Sequence, residues 1–308
     1  MRVLLVGAGA VGQVYGRHLE LGGAEVSVYV KEKYAEDCRS GLTLYPLKKR
    51  GVYEPVRWKG FGVLTSPAEV ATQSFDQVWL CMSATALQGD WFEAFVASIG
   101  QATLVTLQPG IEQRQWLAAR YPPERTIFGG ITFISYQAPL TGETVAEPGV
   151  AYWFPPLTKS PFSGEAALLS PLLACLKAGG CPAAKHSDTA RALAAPTAVM
   201  MPHLAALELA GWSFSALGAD ARLAVAGEAS REAMVISARH YGRGAPFLRH
   251  FIRPWAIRVV MWLAPRIIPF DIETYLEYHF TKVGDQTRYL LKDLIGRGET
   301  ASLAVDAS

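Results

Sequence analysis

Apolar positions follow two rhythms along this chain, and the change of rhythm near residue 185 divides it. Before that point short apolar runs alternate with segments of helical spacing. Arg2-Val3-Leu4-Leu5-Val6, Phe75 to Met82 and Ala102 to Leu107 have the length of strands buried on both faces. Glu25 to Val30 reads as another strand, and Val14, Tyr15, His18 and Leu19 form a helical stripe ahead of it. Tyr34 to Tyr45 reads as a short helix followed by an extended piece, and Tyr53 to Leu64 as a small strand excursion. Ser66-Pro67 predicts a helix start, with Ser as the cap and Pro in the first turn. A strand is expected around Thr126 to Phe128 and a hairpin over Gly142 to Phe154, turning at Glu147-Pro148-Gly149-Val150. Ser163 to Lys177 predicts a helix. From His186 the strand signal fades, and helical patterns run to about Ile295. They break near Gly242-Arg243-Gly244 and at Pro254, Pro265 and Pro269.

The first thirty residues carry the clearest chemistry. Between the first strand and the first helix stands Gly7-Ala8-Gly9-Ala10-Val11-Gly12, a G-x-G-x-x-G spacing inside one βαβ unit. In that context Gly7 permits a tight turn, Gly9 lets backbone approach a pyrophosphate, and Gly12 lets helix and strand pack closely. The helix start adds free N–H groups and a positive dipole end. The expected fold is therefore α/β: a Rossmann-type dinucleotide-binding domain over residues 1–185, then an all-helical domain over residues 186–308 for substrate or dimer contacts. Lys31, just past the second strand, suits a 2′-phosphate and points to NADP, with Lys33 in support. Glu32 in the same turn leaves a ribose hydroxyl, and hence NAD, open. Ser83 and Gln108 follow strand ends, where open parallel sheets bind ligands, and are expected near the cofactor.

Composition narrows the classes. The 308 residues suffice for two domains, and with 50% apolar and 18% charged residues the chain is globular. A net charge of +2 argues neither for nucleic acid nor for an anionic membrane. Cys38, Cys81, Cys175 and Cys181 show no metal spacing and fit a reducing, cytoplasmic setting. No charged and apolar leader precedes the first strand, so no secretion signal is expected. Ala194 to Phe214 and Trp255 to Phe270 are apolar but interrupted by prolines and charges, which predicts buried or interface helices rather than membrane spans. The Trp255 to Trp262 run reads as a core or dimer face, and a homodimer is possible.

The chain resembles the ketopantoate reductase (2-dehydropantoate 2-reductase) family. The resemblance rests on Val6 to Gly12 with Tyr15 and Gly16, then Gly23, Val26 and Lys31. It continues through Gln108-x-Gly110, Pro148-Gly149-Val150 and Ala198-Val199-Met200-Met201-Pro202. It implies an NADP-dependent oxidoreductase acting on a carbonyl or hydroxyl group of a small molecule. Departures fall at the positions that carry the family's chemistry. Ser83 stands where a lysine is usual, and Pro109 replaces an asparagine. Leu193, with Arg191 nearby, occupies the place of the general-acid lysine, and Met201 that of a second asparagine. The resemblance also implies a substrate-binding acid, for which Asp271 or Glu273 is nearest.

Losing cations and amides together predicts a pocket less suited to a small carboxylate than the family's usual one. His203, Glu208 and Lys282 are the residues available to replace the missing catalytic groups. The expected activity is reduction of a carbonyl substrate, 2-keto acid-like or less anionic, between the two domains. A catalytically silent dinucleotide-binding or sensing protein of the same fold is the alternative.

Overall fold

The structure is a computed structural model, and it describes residues 1–108, 111–241, 246–282 and 284–300. Among them the strands in chain order are β1 (Arg2–Val6), β2 (Glu25–Tyr29), β3 (Leu42–Pro46), β4 (Val56–Trp58), β5 (Gly62–Leu64) and β6 (Gln77–Leu80). They continue with β7 (Thr103–Thr106), β8 (Thr126–Gly129), β9 (Ile134–Ala138), β10 (Gly149–Trp153), β11 (Ser160–Ser163) and β12 (Ala183–Lys185). The chain divides into two compact units. One runs from Met1 to Ala190 apart from two short loops; the other holds Lys49–Gly51, Leu140–Glu143 and everything from Arg191 onward.

The first unit is built on an eight-stranded sheet in the order β12-β11-β8-β7-β6-β1-β2-β5. The six strands from β8 to β5 are parallel, and β11 joins β8 antiparallel. Strand order reverses at β1, which has β2 on one side and β6 on the other. That reversal opens a crevice beyond the carboxyl ends of β1 and β6. Alternate residues of β1 explain its lack of polarity. Val3 and Leu5 join a core with Val14, Tyr15 and Trp79, while Leu4 and Val6 join a second core with Val78, Phe92 and Leu104. Each fully buried Val or Leu contributes about 1.5–3 kcal/mol. A smaller sheet, β4-β3-β10-β9, packs beside the helix α1 (Ala10–Leu21).

The local predictions hold for β1, α1, β2, β6 and β7, and the Ser66 start forms a full capping box with Glu69. The hairpin differs. Its strands are β9 and β10, and Gly149 and Val150 already belong to β10 instead of a turn. β11 and β12 lie in stretches the apolar pattern leaves blank, because Pro161, serines and alanines give no strand rhythm.

The second unit is helical: Thr189–Leu209, Phe214–Ala219, Arg222–His240, Pro254–Ile267, Ile272–Lys282 and Gly284–Thr300. Ala206, Leu207, Leu217, Leu223, Ala226 and Met261 form one of its cores, and Ala198, Ala233, Met234 and Ile252 another. Thr189–Leu209 is long and apolar enough to cross a membrane by length and composition, yet it supplies residues to both cores. The Trp255 to Trp262 run is divided: Met261 enters the core, whereas Trp255 is 67% and Trp262 58% exposed. The predicted break at Gly242-Arg243-Gly244 lies outside the described residues.

Candidate functional site

The glycine turn sits at the strand-order reversal. Gly7 has φ +100°, a backbone that L side chains rarely adopt, and its N–H donates to the Tyr29 carbonyl at 3.0 Å. A Cβ on Gly12 would lie 2.2 Å from the Gly7 oxygen, so only glycine lets α1 approach β1 this closely. Gly9 is different. Its φ is −71°, and a Cβ there would meet nothing within 4 Å. The fold itself does not demand glycine at that position. Gly9 caps α1, no side chain caps this end, and no acid occupies the first turn. The helix start therefore keeps its donors and its positive end for an external anion. Ala8, Ala10 and Val11 complete the turn; the Gln13 amide donates to the Ala8 carbonyl at 2.9 Å and holds it in place.

Cys81 closes the back of this turn. Its N–H donates to Val6 O, and burial pushes its thiol up to about 12, so it stays protonated and unreactive. Cys181 is likewise pushed to about 12, and burial raises Cys38 and Cys175 as well. Gln108 lies at the end of β7. Its Nε2 donates to the carbonyls of Leu80 and Met82, and its Oε1 accepts from Thr106 Oγ1 at 2.7 Å. The side chain thus ties the carboxyl ends of β6 and β7 together at the crevice. Pro109 and Gly110 of the same turn lie outside the described residues. Ser83 is exposed after β6 and starts the helix Ala84–Leu87, its Oγ accepting from the Ala86 N–H at 3.4 Å.

Lys31 is exposed immediately after β2 and has no ion pair among the described residues. Lys33 instead lies over the Tyr34 ring at 4.8 Å. One feature near the β2 end escaped the sequence reading. Tyr29 stacks with Trp91 at 6.4 Å and 27°, placing a broad aromatic wall two residues from Lys31. The two rings are 62 positions apart in sequence, so no local pattern announces them.

The second unit holds the other predicted residues, each among its own partners. His203 Nδ1 lies 2.8 Å from the Val199 carbonyl and 3.0 Å from Ser230 Oγ. Burial lowers its pKa, partly opposed by the Val199 bond, so the ring is neutral near pH 7. With Nδ1 donating to the carbonyl, Nε2 remains as a buried acceptor with no partner among the described residues. A neutral ring in this tautomer can take a proton at Nε2 but is not primed to give one. Glu208 is ion-paired with Arg288 at 3.0 Å, and Lys282 is exposed at the end of its helix. Asp271 accepts from the N–H groups of Glu273 and Thr274, capping Ile272–Lys282. Glu273 in turn accepts from the Phe214 N–H. Both acids thus serve helix starts.

Residues 3–158, from β1 past β10, match the sequence model of ketopantoate reductase PanE/ApbA. The chain belongs to that family. No curated protein matches it at a significant level. Solved ketopantoate reductase-type structures share the fold from end to end. The PanE/ApbA family ketopantoate reductase of Ralstonia eutropha JMP134 is 20% identical with a TM-score of 0.61, covering 97% of this chain and 99% of that one. The 2-dehydropantoate 2-reductase of Methylococcus capsulatus is 16% identical with a TM-score of 0.64, covering 98% and 96%. A D-mandelate dehydrogenase, solved with NADH and anilino(oxo)acetate, is 15% identical with a TM-score of 0.64, covering 99% and 100%.

The two apolar residues expected at the places of the family's lysine and asparagine have ordinary structural surroundings. Met201 is buried in the helix Thr189–Leu209, and Leu193 is half-buried on it. Neither offers a donor or a charge.

Proposed function

We propose that this protein is an NADP-dependent oxidoreductase of the ketopantoate reductase family that reduces a carbonyl substrate bulkier or less anionic than ketopantoate. The observation that carries the nucleotide reading is Gly9. Its backbone is ordinary and the space above it is open, so the glycine serves a ligand pressed against the chain instead of the packing of the chain. The residues present fit such a ligand. Gly7 and Gly12 shape the turn, Gly9 to Val11 would present the helix start to a pyrophosphate, and Lys31, exposed past the end of β2, would meet a 2′-phosphate. Tyr29 and Trp91 offer a flat surface beside it. When bound, the nicotinamide supplies hydride to a carbonyl carbon.

The chain must then supply a proton to the developing alkoxide and hold the substrate. Ser83, exposed in the first unit, and Lys282, exposed in the helical unit, are the candidates for that proton donor. His203 is a poorer candidate, because its Nε2 is buried and, with Nδ1 donating to Val199, carries no proton to give. The absence of charge at Leu193 and Met201 supports a substrate with less need of carboxylate anchoring.

The same two residues favour a second reading, a dinucleotide-binding protein that has lost turnover. Titrating the purified protein with NADPH and NADH by nicotinamide fluorescence tests the cofactor assignment. Preference for NADPH is expected, and failure to bind either would overturn it. Oxidation of bound NADPH across a panel of 2-keto acids and apolar aldehydes and ketones separates enzyme from sensor.

A further inference from the structure

Between Glu232 and Asp271 the sequence holds six arginines and no acidic residue, in a chain whose net charge is only +2. The helix Pro254–Ile267 lies inside that run. Its inner side packs through Met261 into the core formed by Ala206, Leu207 and Leu217. Its outer side is apolar as well. Trp255, Val259, Trp262 and Leu263 fall at i, i+4, i+7 and i+8 and share one stripe, with Val260 and Ile267 beside it. All six are exposed. A contiguous apolar face rimmed by charge marks an interaction surface rather than a solvated helix.

The rim is entirely basic along this segment. Arg253 precedes the helix, with its Nε donating to the His250 carbonyl at 3.2 Å. Arg258 is held at the edge by a 2.8 Å hydrogen bond from Nε to the Gly218 carbonyl. The Arg266 guanidinium lies 4.0 Å from the Trp262 ring centre. A second basic element arrives from far away in sequence. In the exposed Lys48-Lys49-Arg50 loop, Arg50 Nη1 donates to the Pro265 carbonyl at 2.7 Å, next to the helix C-terminus. Two independent stretches thus place cations around one apolar, tryptophan-bearing face.

We propose that this face docks on an anionic lipid bilayer, with Trp255, Trp262 and Leu263 seated at the boundary between headgroups and acyl chains. Arg50, Arg253, Arg258 and Arg266 then meet lipid phosphates. An apolar helix face with aromatic residues lies in a bilayer interface, and a neighbouring cluster of cations supplies the second signal that stable anchoring needs. The low net charge misleads here because it averages over the chain, whereas a membrane meets only one side of it. A second copy of this chain is a poorer occupant. A two-fold contact through the same patch would set one basic rim against another, and the acid-free run offers no carboxylate to pair with it.

Flotation of the full-length protein with vesicles tests this. Binding is expected to phosphatidylcholine vesicles containing phosphatidylglycerol, with little to phosphatidylcholine alone and weakening as salt rises. The Trp255→Ser/Trp262→Ser variant should lose at least tenfold in bound fraction with its thermal melt and NADPH titration unchanged. Arg50→Ala and Arg266→Ala should each weaken binding about fivefold. Absence of binding to anionic vesicles overturns the proposal. So does a concentration-dependent dimer, seen by sedimentation and abolished by the tryptophan variant, in a protein that does not float.

Discussion

His18 and Gly179 are joined twice across 161 positions of sequence. The His18 Nδ1 lies 2.7 Å from the Gly179 carbonyl, and a Cβ on Gly179 would stand 1.8 Å from the His18 carbonyl oxygen. The remaining ring nitrogen meets the Tyr152 hydroxyl at 3.2 Å, so one imidazole connects α1 to β10 and to the end of the helix Ala166–Ala178. Gly179→Ala should destabilise the protein by an amount typical of core overpacking, about 1–3 kcal/mol, and lower its melting temperature. An unchanged melt would show that the loop gives way freely.

The same ring gives stability a pH dependence of definite sign. Burial holds the His18 pKa below its ordinary 6.5, with the Gly179 bond partly opposing. The unfolded chain therefore takes up this proton before the folded chain does. Stability is unaffected above the unfolded value and falls as pH drops below it toward the folded value. Melts recorded between about pH 8 and 5 should decline on the acid side. His18→Gln should flatten that decline, and an identical slope in the variant would assign it to other groups, His203 among them.

Two glycine-to-alanine changes in the glycine turn should fail in different ways. Gly12→Ala forces α1 from β1 and should reduce melting temperature and nucleotide binding together. Gly9→Ala adds a methyl group to open space and should leave the melt within about 0.5 kcal/mol of the parent, as surface substitutions do. Its NADPH affinity should nevertheless drop at least tenfold. Retained affinity in Gly9→Ala would remove the main support for a pyrophosphate there.

Lys31→Ala should weaken NADPH about tenfold or more, the scale of a lost hydrogen bond to a charged group, and leave NADH within about twofold. Equal losses for both would place the 2′-phosphate elsewhere.

Asp271 separates a cap from a substrate ligand. Asp271→Ala should destabilise the protein by about 1 kcal/mol through the lost cap, while Asp271→Asn, which also caps, should restore the melt. If the asparagine variant melts normally yet has a raised KM for a carboxylate substrate, the acid contributes to binding as well.

What the sequence made legible follows the range of the interactions that decide each feature. β1, the glycine turn, α1 and β2 are fixed by neighbours within thirty residues, and their pattern is complete in that window. β11 exists because β8 and β12 offer it hydrogen bonds, not because Ser160 to Ser163 favours a strand. The Trp255 to Trp262 rhythm reveals a helix but not which side the rest of the chain covers. Acid residues at Asp271 and Glu273 look alike in a sequence whether they hold a substrate or a helix start; their turn geometry tells them apart. The Tyr29–Trp91 stack depends on the end of β2 meeting the start of the helix Trp91–Ser98, which no single stretch records.

The buried thiols make the molecule its own clock. Cys181 is 2% exposed and burial pushes its thiol up to about 12, so at neutral pH an alkylating reagent passes it by while the turn after the helix Ala166–Ala178 stays closed. Modification then proceeds only through excursions that expose the sulfur. Its rate counts how often the corner at Gly179, Gly180 and Cys181 opens.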